Sequence, residues 1–434
     1  MKKVVDVCTR VEGHGNINIL IQKDEISSVS FDLDIFRGFE NILHGKKLID
    51  APRIASRICG LCHASQGIAS CKAIENIYEI EPTTQSISLR RLLMIGELIK
   101  SHAMHFFFQS FPDLFVALKK HSNSLSFDEL IRYDPLLTSN VFELIKISNE
   151  IVTLFGGRSI HLITPIIGGV QYSPSKKDIS VAKKYFQKAI TNLDWVIERF
   201  HDLFSKEKPP DIYNLNDPVY MGMQNNEEYD RYDGFLRLKQ KDKILADFPV
   251  HKYQQFFTKQ IELRGVDFHL NKDQKVIVGP LARFNIIKDF EMDEISSYLS
   301  YFDGEWKKNL IYSNLVRLVE MLLASYEGLS ILENRNLIGK NQIKPIKSIK
   351  NNEGIGIVEA PRGTLIHHYT LDENNLIGKA KLIIATEINL PIINDILTRE
   401  SRKLYEWTGD INQIKNQAQM IIRMFDPCIS CATH

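Results

Sequence analysis

The sequence predicts an α+β fold, in which long helices form a central bundle and β-hairpins and small sheets lie at the periphery. Apolar residues recur at helical spacing in three long segments, whereas the first 35 residues and residues 354–390 have a β pattern. A chain of 434 residues can bury a large core. Because no internal repeat or linker interrupts it, residues 1–434 are predicted to form one large domain.

The β elements begin at the N-terminus. Apolar and polar residues alternate over 16–21 and 28–33, with a Lys-Asp-Glu turn between these segments, which predicts a β-hairpin. Residues 354–390 return to a β pattern. Residues 207–280 contain Pro209, Pro210 and many charges, and they predict irregular peripheral structure with short strands.

The helical elements supply the predicted core. Helical periodicity runs from about Thr83 to Pro112, over residues 178–204, and from about Glu305 to Leu332. Three helices with apolar faces predict a bundle. A further helix is predicted over Ile411–Met424, ending before Pro427, which disfavours α geometry in the residue that precedes it.

Composition excludes several classes of protein. The hydrophobic fraction is 44%, the charged fraction 25% and the formal net charge +1, so no global charge favours nucleic acid or an anionic membrane. The most apolar stretch, residues 102–118, contains His, Gln, Asp and Pro, whereas a membrane span needs about 20 largely apolar residues. We therefore expect no membrane span and no nucleic-acid partner. No export signal is visible at the N-terminus.

Four of the six cysteines form two pairs, Cys59/Cys62 and Cys428/Cys431. Six are too few for a disulfide scaffold, and the pairs indicate metal or redox chemistry in a reducing compartment, which predicts a cytoplasmic protein. A spacing of two residues lets both sulfurs of a pair reach one metal, and thiolates suit zinc, iron-sulfur clusters and nickel. The other two cysteines, Cys8 and Cys71, are expected to be buried thiols.

Two simpler interpretations of the cysteine pairs compete with catalysis. A structural zinc site usually joins pairs about 15 to 20 residues apart in a module too small to fold alone. A thioredoxin-like motif needs no second pair. Here the pairs lie near opposite ends of a large chain. The residues around them must therefore decide between these two interpretations and a catalytic metal site.

Five motifs decide between these interpretations. Through these motifs, the chain resembles the large, catalytic subunit of [NiFe]-hydrogenases over essentially its whole length. The motifs are Thr9-Arg-Val-Glu-Gly-His14, Phe36-Arg-Gly-Phe-Glu40, Arg57-Ile-Cys-Gly-Leu-Cys62, Glu359-Ala-Pro-Arg-Gly363 and Asp426-Pro-Cys-Ile-Ser-Cys-Ala-Thr-His434. The segments 101–106 and 155–161 look most like the cytosolic, multimeric branch of the family.

The resemblance implies a nickel-iron centre. All four paired cysteines would bind nickel, and Cys62 and Cys431 would also bridge to an iron that carries carbon monoxide and cyanide. Cys59 and Cys428 would then be terminal ligands of nickel. The implied reaction is the reversible, heterolytic oxidation of H2 to protons and electrons, with the Cys428 thiolate accepting the proton.

The resemblance also assigns residues around the metals. Glu12 would carry the proton onward, and Arg362 would lie over the open metal position, oriented by Asp426. Thr386 would donate a hydrogen bond to a cyanide, although Ala385 replaces the proline that is common before it. Taken alone, this stretch would be a buried strand.

A second metal site is implied at the C-terminus. Glu40 and His434 resemble the ligands of a magnesium ion, or sometimes iron, with the Leu382 carbonyl as a third ligand.

Three features depart from the common family pattern or keep an alternative open. Gln66 stands where relatives usually have histidine, so the hydrogen bonding of the bridging sulfur must differ. Glutamine at this position occurs in hydrogen-sensing members, which keeps a regulatory protein of low turnover as the alternative. The sequence ends at His434, as either a processed form or one made without the usual extension. Leu162 replaces a common proline without an evident reason.

Partners follow from the cysteine count. The six cysteines include no ferredoxin-type run, so electrons must leave through another chain. The resemblance implies an iron-sulfur small subunit, together with a further subunit that handles a nicotinamide, a deazaflavin, ferredoxin or a disulfide. The homologous scaffold subunit of quinone-reducing respiratory complexes is disfavoured because it lacks these cysteines.

Overall fold

The structure is a computed structural model that describes residues 2–33, 38–118, 120, 124–260, 265–268, 275–287, 290 and 292–433. Its strands are β1 Lys2–Val7, β2 Gly15–Gln22, β3 Glu25–Leu33, β4 Pro165–Ile166, β5 Gly169–Val170, β6 Val219–Asn225, β7 Glu228–Tyr229, β8 Phe235–Gln240, β9 Lys243–Pro249, β10 Phe257–Gln260, β11 Gly265–Phe268, β12 Val276–Ile277, β13 Glu353–Ala360, β14 Gly363–Leu371 and β15 Ile377–Ile383. Its helices are α1 Gly38–Leu43, α2 Ala51–Ala55, α3 His63–Tyr78, α4 Thr84–Met104, α5 Phe111–Ala117, α6 Phe127–Tyr133, α7 Pro135–Gly156, α8 Lys176–Phe204, α9 Pro280–Ile286, α10 Asp293–Ser300, α11 Gly304–Lys307, α12 Ser313–Glu333, α13 Ala385–Thr408, α14 Ile411–Met424 and α15 Ile429–Ala432.

Four long helices, α4, α7, α8 and α12, pack against one another and form the predicted bundle. Side-chain caps favour the starts of two of them: the Thr83 side chain accepts from the Ser86 amide before α4, and Ser175 and Asp178 form a capping box at the start of α8. Helix α7 follows Asp134 and was not among the predicted elements. The predicted α+β class is confirmed. Within the described residues, no helix is long and apolar enough to cross a membrane.

Two predicted helix boundaries were wrong. One helix was predicted to begin at about Glu305, but the long helix α12 begins only at Ser313. Residues before it bond to distant parts of the chain instead. The Lys308 carbonyl accepts from the Leu215 amide (2.9 Å), and the Asn309 side-chain amide donates to the Pro210 carbonyl (2.8 Å). The helix predicted up to Pro112 is α-helical only to Met104. A π-helical turn, His105–Ser110, follows and leads into α5.

The N-terminal hairpin is confirmed as the antiparallel pair β2–β3, and β1 extends it to three strands. Ile17, Ile19 and Phe31 point into the core. Helix α13 covers this sheet, and the Thr398 hydroxyl makes hydrogen bonds to the backbone of Val29.

Residues 207–280 are more regular than predicted. They contribute β6 to β9 and β12 to a five-stranded sheet, whose buried face includes Val219, Met221 and Leu236. Apolar alternation in these short strands was masked in the sequence by the many surrounding charges.

The third main sheet consists of β13, β14 and β15, in that order. Helix α3 lies across β13 so closely that a Cβ at Gly354 or Gly356 would approach the carbonyl oxygens of Ala73 or Ala69 to 2.0 and 2.1 Å. The β pattern predicted over 354–390 ends at Ile383, because α13 begins at Ala385. The Glu387 carboxylate accepts from the Ile384 amide (3.2 Å) in its first turn.

Candidate metal centre

The first cysteine pair lies in the turn between α2 and α3. Cys62 is the residue directly before α3, and Cys59 lies three residues earlier. The Leu61 amide donates to Cys59 Sγ (3.3 Å). A helix N-terminus and a backbone N–H both favour a thiolate over a thiol, so this turn is suited to metal-binding sulfur.

The second pair lies at the end of α14. Asp426 adopts a left-handed backbone conformation (φ 53°), and the chain then turns through Pro427 into Cys428 and the short helix α15. The Cys428 amide donates to Thr386 Oγ1 (2.9 Å), and the Ile429 amide donates to the Glu12 carbonyl (3.0 Å). These bonds attach the C-terminal segment to both α13 and the N-terminal segment.

The two pairs form one cluster in which all four sulfur atoms lie within 4.8 Å of one another. Cys62 Sγ is 2.9 Å from Cys431 Sγ, which is 2.8 Å from Cys428 Sγ, and Cys59 Sγ is 3.5 Å from Cys428 Sγ. All four residues are buried and none is in a disulfide. The prediction that both chain ends meet is confirmed.

The chemistry of this donor set fits a soft transition metal. Hydrogen bonds from the other cysteines lower the pKa of Cys59, whereas burial raises the pKa of Cys428 well above its usual range. The protein alone therefore does not hold four thiolates in this volume, because each additional buried negative charge is costly. A cation bound by all four sulfurs removes that cost, and nickel accepts such ligands.

Glu12 reaches the cluster from the N-terminal segment. Its Oε2 lies 3.0 Å from Cys428 Sγ, and it also accepts from the Ser430 amide (3.2 Å) and hydroxyl (2.5 Å). Glu12 is thus held by the same C-terminal turn that carries Cys428. This arrangement places a titratable carboxyl group in direct contact with a sulfur of the cluster.

Arg362 and Asp426 are paired beside the sulfurs. Arg362 Nε donates to the Asp426 carboxylate (3.0 Å) and carbonyl (3.1 Å). Burial lowers the pKa of Arg362, but Asp426 and the cysteines outweigh burial and raise it well above the usual range, so the guanidinium is charged. Its two terminal nitrogens are buried without a hydrogen-bond partner in the described part of the chain. They are therefore available to a ligand.

A small cavity lies between these groups. It is lined by three of the four cysteines, Arg362, Thr386 and apolar side chains, among them Leu365 and Ile384; Cys59 is not part of its lining. Such a site offers hydrogen-bond donors on some sides and apolar surface on others.

The residues predicted for magnesium are only partly described. The Glu40 carboxylate accepts from the Leu382 amide (2.8 Å), so these two residues lie together. His434 lies outside the described residues, as do Phe36 and Arg37 of the second motif.

A buried ionic cluster that sequence reasoning missed supports the loop before Arg362. Arg283 donates to both oxygens of Glu320 (2.6 and 2.8 Å) and to the backbone carbonyls of Ala360 and Pro361 (3.1 and 3.0 Å). A glutamate at position 320, inside the apolar pattern of α12, was the available signal, because such a charge is rarely buried unless it is paired.

Comparison with known proteins places this geometry in a family. The family model described as nickel-dependent hydrogenase matches residues 37–121 and 272–434. One chain of the F420-non-reducing hydrogenase of Methanothermobacter marburgensis is 31% identical over 458 aligned residues, which span 100% of this chain and 95% of that protein. The beta chain of the NAD-reducing hydrogenase HoxS of Cupriavidus necator is 28% identical, over 100% of this chain and 94% of its own length.

Solved structures share the fold. An NAD+-reducing [NiFe]-hydrogenase in the H2-reduced state superposes with a TM-score of 0.91 at 24% identity, and both chains are covered over 100% of their length. The Ni-Fe-Se hydrogenase of D. vulgaris Hildenborough gives a TM-score of 0.78 at 20% identity, again with 100% of both chains covered.

The chain therefore belongs to the nickel-dependent hydrogenase family, in which it is a large, catalytic subunit with a four-cysteine metal site. The predicted enzyme class is confirmed, and the findings favour the catalytic role over the regulatory alternative. The two relatives named above are themselves subunits of larger hydrogenases.

Proposed function

We propose that this protein oxidises H2 reversibly and heterolytically at a nickel-iron centre held by Cys59, Cys62, Cys428 and Cys431. The observation that carries the proposal is the convergence of four buried sulfurs from both chain ends, with a carboxylate in contact with one of them. When bound, a nickel-iron centre supplies Lewis-acid polarisation of dihydrogen.

The division of the ligands between the two metals rests on the family resemblance. The cavity beside the sulfurs is lined by Cys62, Cys428 and Cys431 and sets apart only Cys59. By that resemblance, Cys62 and Cys431 would be shared by nickel and iron, and Cys59 and Cys428 would bind nickel alone. Carbon monoxide ligands would face the apolar lining of this cavity.

Arg362 and Thr386 suit cyanide ligands on the iron. The terminal nitrogens of Arg362 have no protein partner in the described residues, and the guanidinium retains its charge. A charged N–H donor is a strong partner for an anionic nitrogen. Thr386 Oγ1 accepts from the Cys428 amide, so its own hydroxyl proton remains available for donation.

The proton is proposed to move from Cys428 to Glu12. The two groups are 3.0 Å apart, which is within the range for direct transfer. Ser430 donates to the same carboxylate twice and so fixes its position toward the sulfur.

Magnesium is proposed to bind at Glu40, Leu382 and His434. The support is that the Leu382 amide donates to the Glu40 carboxylate (2.8 Å), so two of the three residues are in contact. Magnesium prefers oxygen ligands and retains water, and it tolerates one imidazole.

Electrons are proposed to leave through an iron-sulfur small subunit, together with a further subunit that reduces a soluble acceptor, in a cytoplasmic complex. The support is that the matched relatives are subunits of NAD-reducing and F420-non-reducing hydrogenases. The acceptor is proposed to be a nicotinamide, a deazaflavin, ferredoxin or a disulfide.

The test is metal analysis and infrared spectroscopy of the purified complex, followed by an assay of hydrogen-dependent dye reduction. We expect nickel and iron, bands of carbon monoxide and cyanide, and steady turnover. Zinc in place of nickel would overturn the proposed centre. Intact bands with only trace turnover would overturn the catalytic role and favour sensing.

A further inference from the structure

A chain of buried hydrogen bonds leads away from the metal centre through Gln66. Gln66 Nε2 lies 3.7 Å from Cys431 Sγ, and Gln66 Oε1 lies 2.7 Å from His367 Nε2. On the other side of the ring, His367 Nδ1 lies 2.7 Å from the Tyr369 hydroxyl, which lies 2.9 Å from Ser70 Oγ. All of these side chains are buried.

The secondary structure explains why these residues meet. Gln66 and Ser70 are four residues apart and therefore share one face of α3, whereas His367 and Tyr369 are two residues apart and share one face of β14. The close approach of α3 to the sheet at Gly354 and Gly356 brings the two faces within hydrogen-bond distance.

The donor and acceptor groups fix the direction in which each hydrogen bond of this series is donated. A metal-bound thiolate carries no proton, so the sulfur of Cys431 accepts and the amide N–H2 of Gln66, not its oxygen, must face it. The Gln66 oxygen then faces His367, whose Nε2 must carry the proton. With a neutral ring, His367 Nδ1 accepts from the Tyr369 hydroxyl.

We propose that His367 is a positioning residue for the metal centre: by donating from Nε2 to Gln66 Oε1, it holds the Gln66 amide so that an N–H points at the sulfur of Cys431. This inference rests on the proposed centre and deepens it. A hydrogen bond to a ligand sulfur withdraws electron density from the metals, and the partners of that donor fix its orientation. In this protein, glutamine replaces the family's usual histidine. The amide of Gln66 could turn either its oxygen or its nitrogen toward the sulfur, so a partner is needed to fix which one faces it.

The experiment compares infrared spectra of the purified, metal-loaded complex. His367→Phe removes the donor, so Gln66 can rotate and the sulfur donates more density to the metals. We expect the carbon monoxide band to move to lower wavenumber while nickel content stays at the wild-type level. His367→Gln, whose amide can place an N–H near the position of Nε2, should return the band toward its wild-type position.

Two controls separate positioning from general disturbance. His368→Gln changes the next residue of β14, whose ring contacts Tyr253 and Glu353 on the other face, and it should leave the band unchanged. In a Gln66→Leu background, His367→Phe should add no further shift, because the two residues act through one contact.

Several outcomes would overturn the inference. An unchanged band in His367→Phe, or an equal shift in the Gln66→Leu background, would show that His367 does not act through Gln66. If His367→Phe fails to take up nickel, Tyr369→Phe replaces it, with a smaller shift in the same direction expected and an unchanged band counting against the inference. Absence of nickel and of these bands in the wild-type complex would instead overturn the proposed centre itself.

Discussion

Glu12 is the residue on which proton movement is proposed to depend. Glu12→Gln keeps the size of the side chain and a hydrogen-bond acceptor for Ser430 but cannot take a proton from Cys428. We expect hydrogen-dependent dye reduction to fall by about 10²-fold or more, since general acid-base groups contribute roughly 10²–10⁴-fold. Nickel content should remain unchanged.

The matched control for this variant is Glu25→Gln, at an exposed glutamate that begins β3. It should retain wild-type turnover. Turnover of Glu12→Gln within twofold of the wild type would remove Glu12 from the proton route.

Arg362 is the residue that we expect to hold ligands of the iron. Arg362→Lys retains the positive charge but loses the planar guanidinium. That group bonds Asp426 through Nε, and its two other nitrogens have no protein partner among the described residues. Turnover is expected to fall by about 10-fold or more, since a lost charge-assisted hydrogen bond costs roughly 1.5–3 kcal/mol. Steady-state kinetics at matched nickel loading provides the measurement, and wild-type turnover would contradict this assignment.

At the scale of elements, helix α3 must lie close to the sheet for its N-terminus to present Cys62. Gly356→Ala would place a Cβ 2.1 Å from the Ala69 carbonyl, so α3 or β13 must move. We expect a loss of about 1–3 kcal/mol of stability, typical of overpacking, together with reduced nickel incorporation.

Gly304→Ala is the matched control, because a Cβ there meets no atom within 4 Å. Thermal unfolding and metal analysis of both variants give the comparison. Equal stability and equal nickel in the two would show that the close packing of α3 is unimportant.

The N-terminus of α3 also contacts a buried carboxyl group, Glu97, which accepts from the amides of Ala64 and Ser65. Burial raises the pKa of Glu97 from about 4.5 to about 7. The folded state therefore binds this proton more tightly than the unfolded state, and the stabilisation is complete below pH 4.5 and lost as the pH rises through 7.

Unfolding monitored by circular dichroism between pH 5 and pH 8 checks this expectation. The decline in stability with rising pH should be smaller in Glu97→Gln, which does not titrate. An identical pH dependence in both proteins would exclude Glu97 as its source.

The sequence could predict those helices and strands whose pattern of apolar residues is continuous and local. The β2–β3 hairpin, α8 and α14 were recognisable because their periodicity is continuous and their ends carry caps or turns. The start of α12 could not be placed, because Asn309 bonds to residues almost 100 positions earlier in the chain. The hydrogen bond between Gln66 and His367 could not be predicted for the same reason: it joins residues far apart in the sequence, and only the packing of α3 on β14 brings them together.

At the scale of the whole molecule, the two cysteine pairs were predicted to meet although 365 residues separate Cys62 from Cys428. The motifs around the cysteines made this prediction possible, and the spacing of the cysteines did not. The structure adds the contacts that join the ends: the Glu12 carbonyl with the Ile429 amide, and Thr386 with Cys428. That residues 1–434 act as one domain stays a prediction. The buried cluster around Arg283 and Glu320 had no sequence motif and was found only in the fold.

X-ray absorption at the nickel edge of the purified complex tests the central claim most directly, because it reports the atoms bound to nickel. The four clustered sulfurs predict that the protein supplies only sulfur to the nickel coordination sphere, with iron as a near neighbour. Cys59→Ser should remove one sulfur from that sphere. A coordination sphere dominated by nitrogen or oxygen, or the absence of nickel from the complex, would contradict the account.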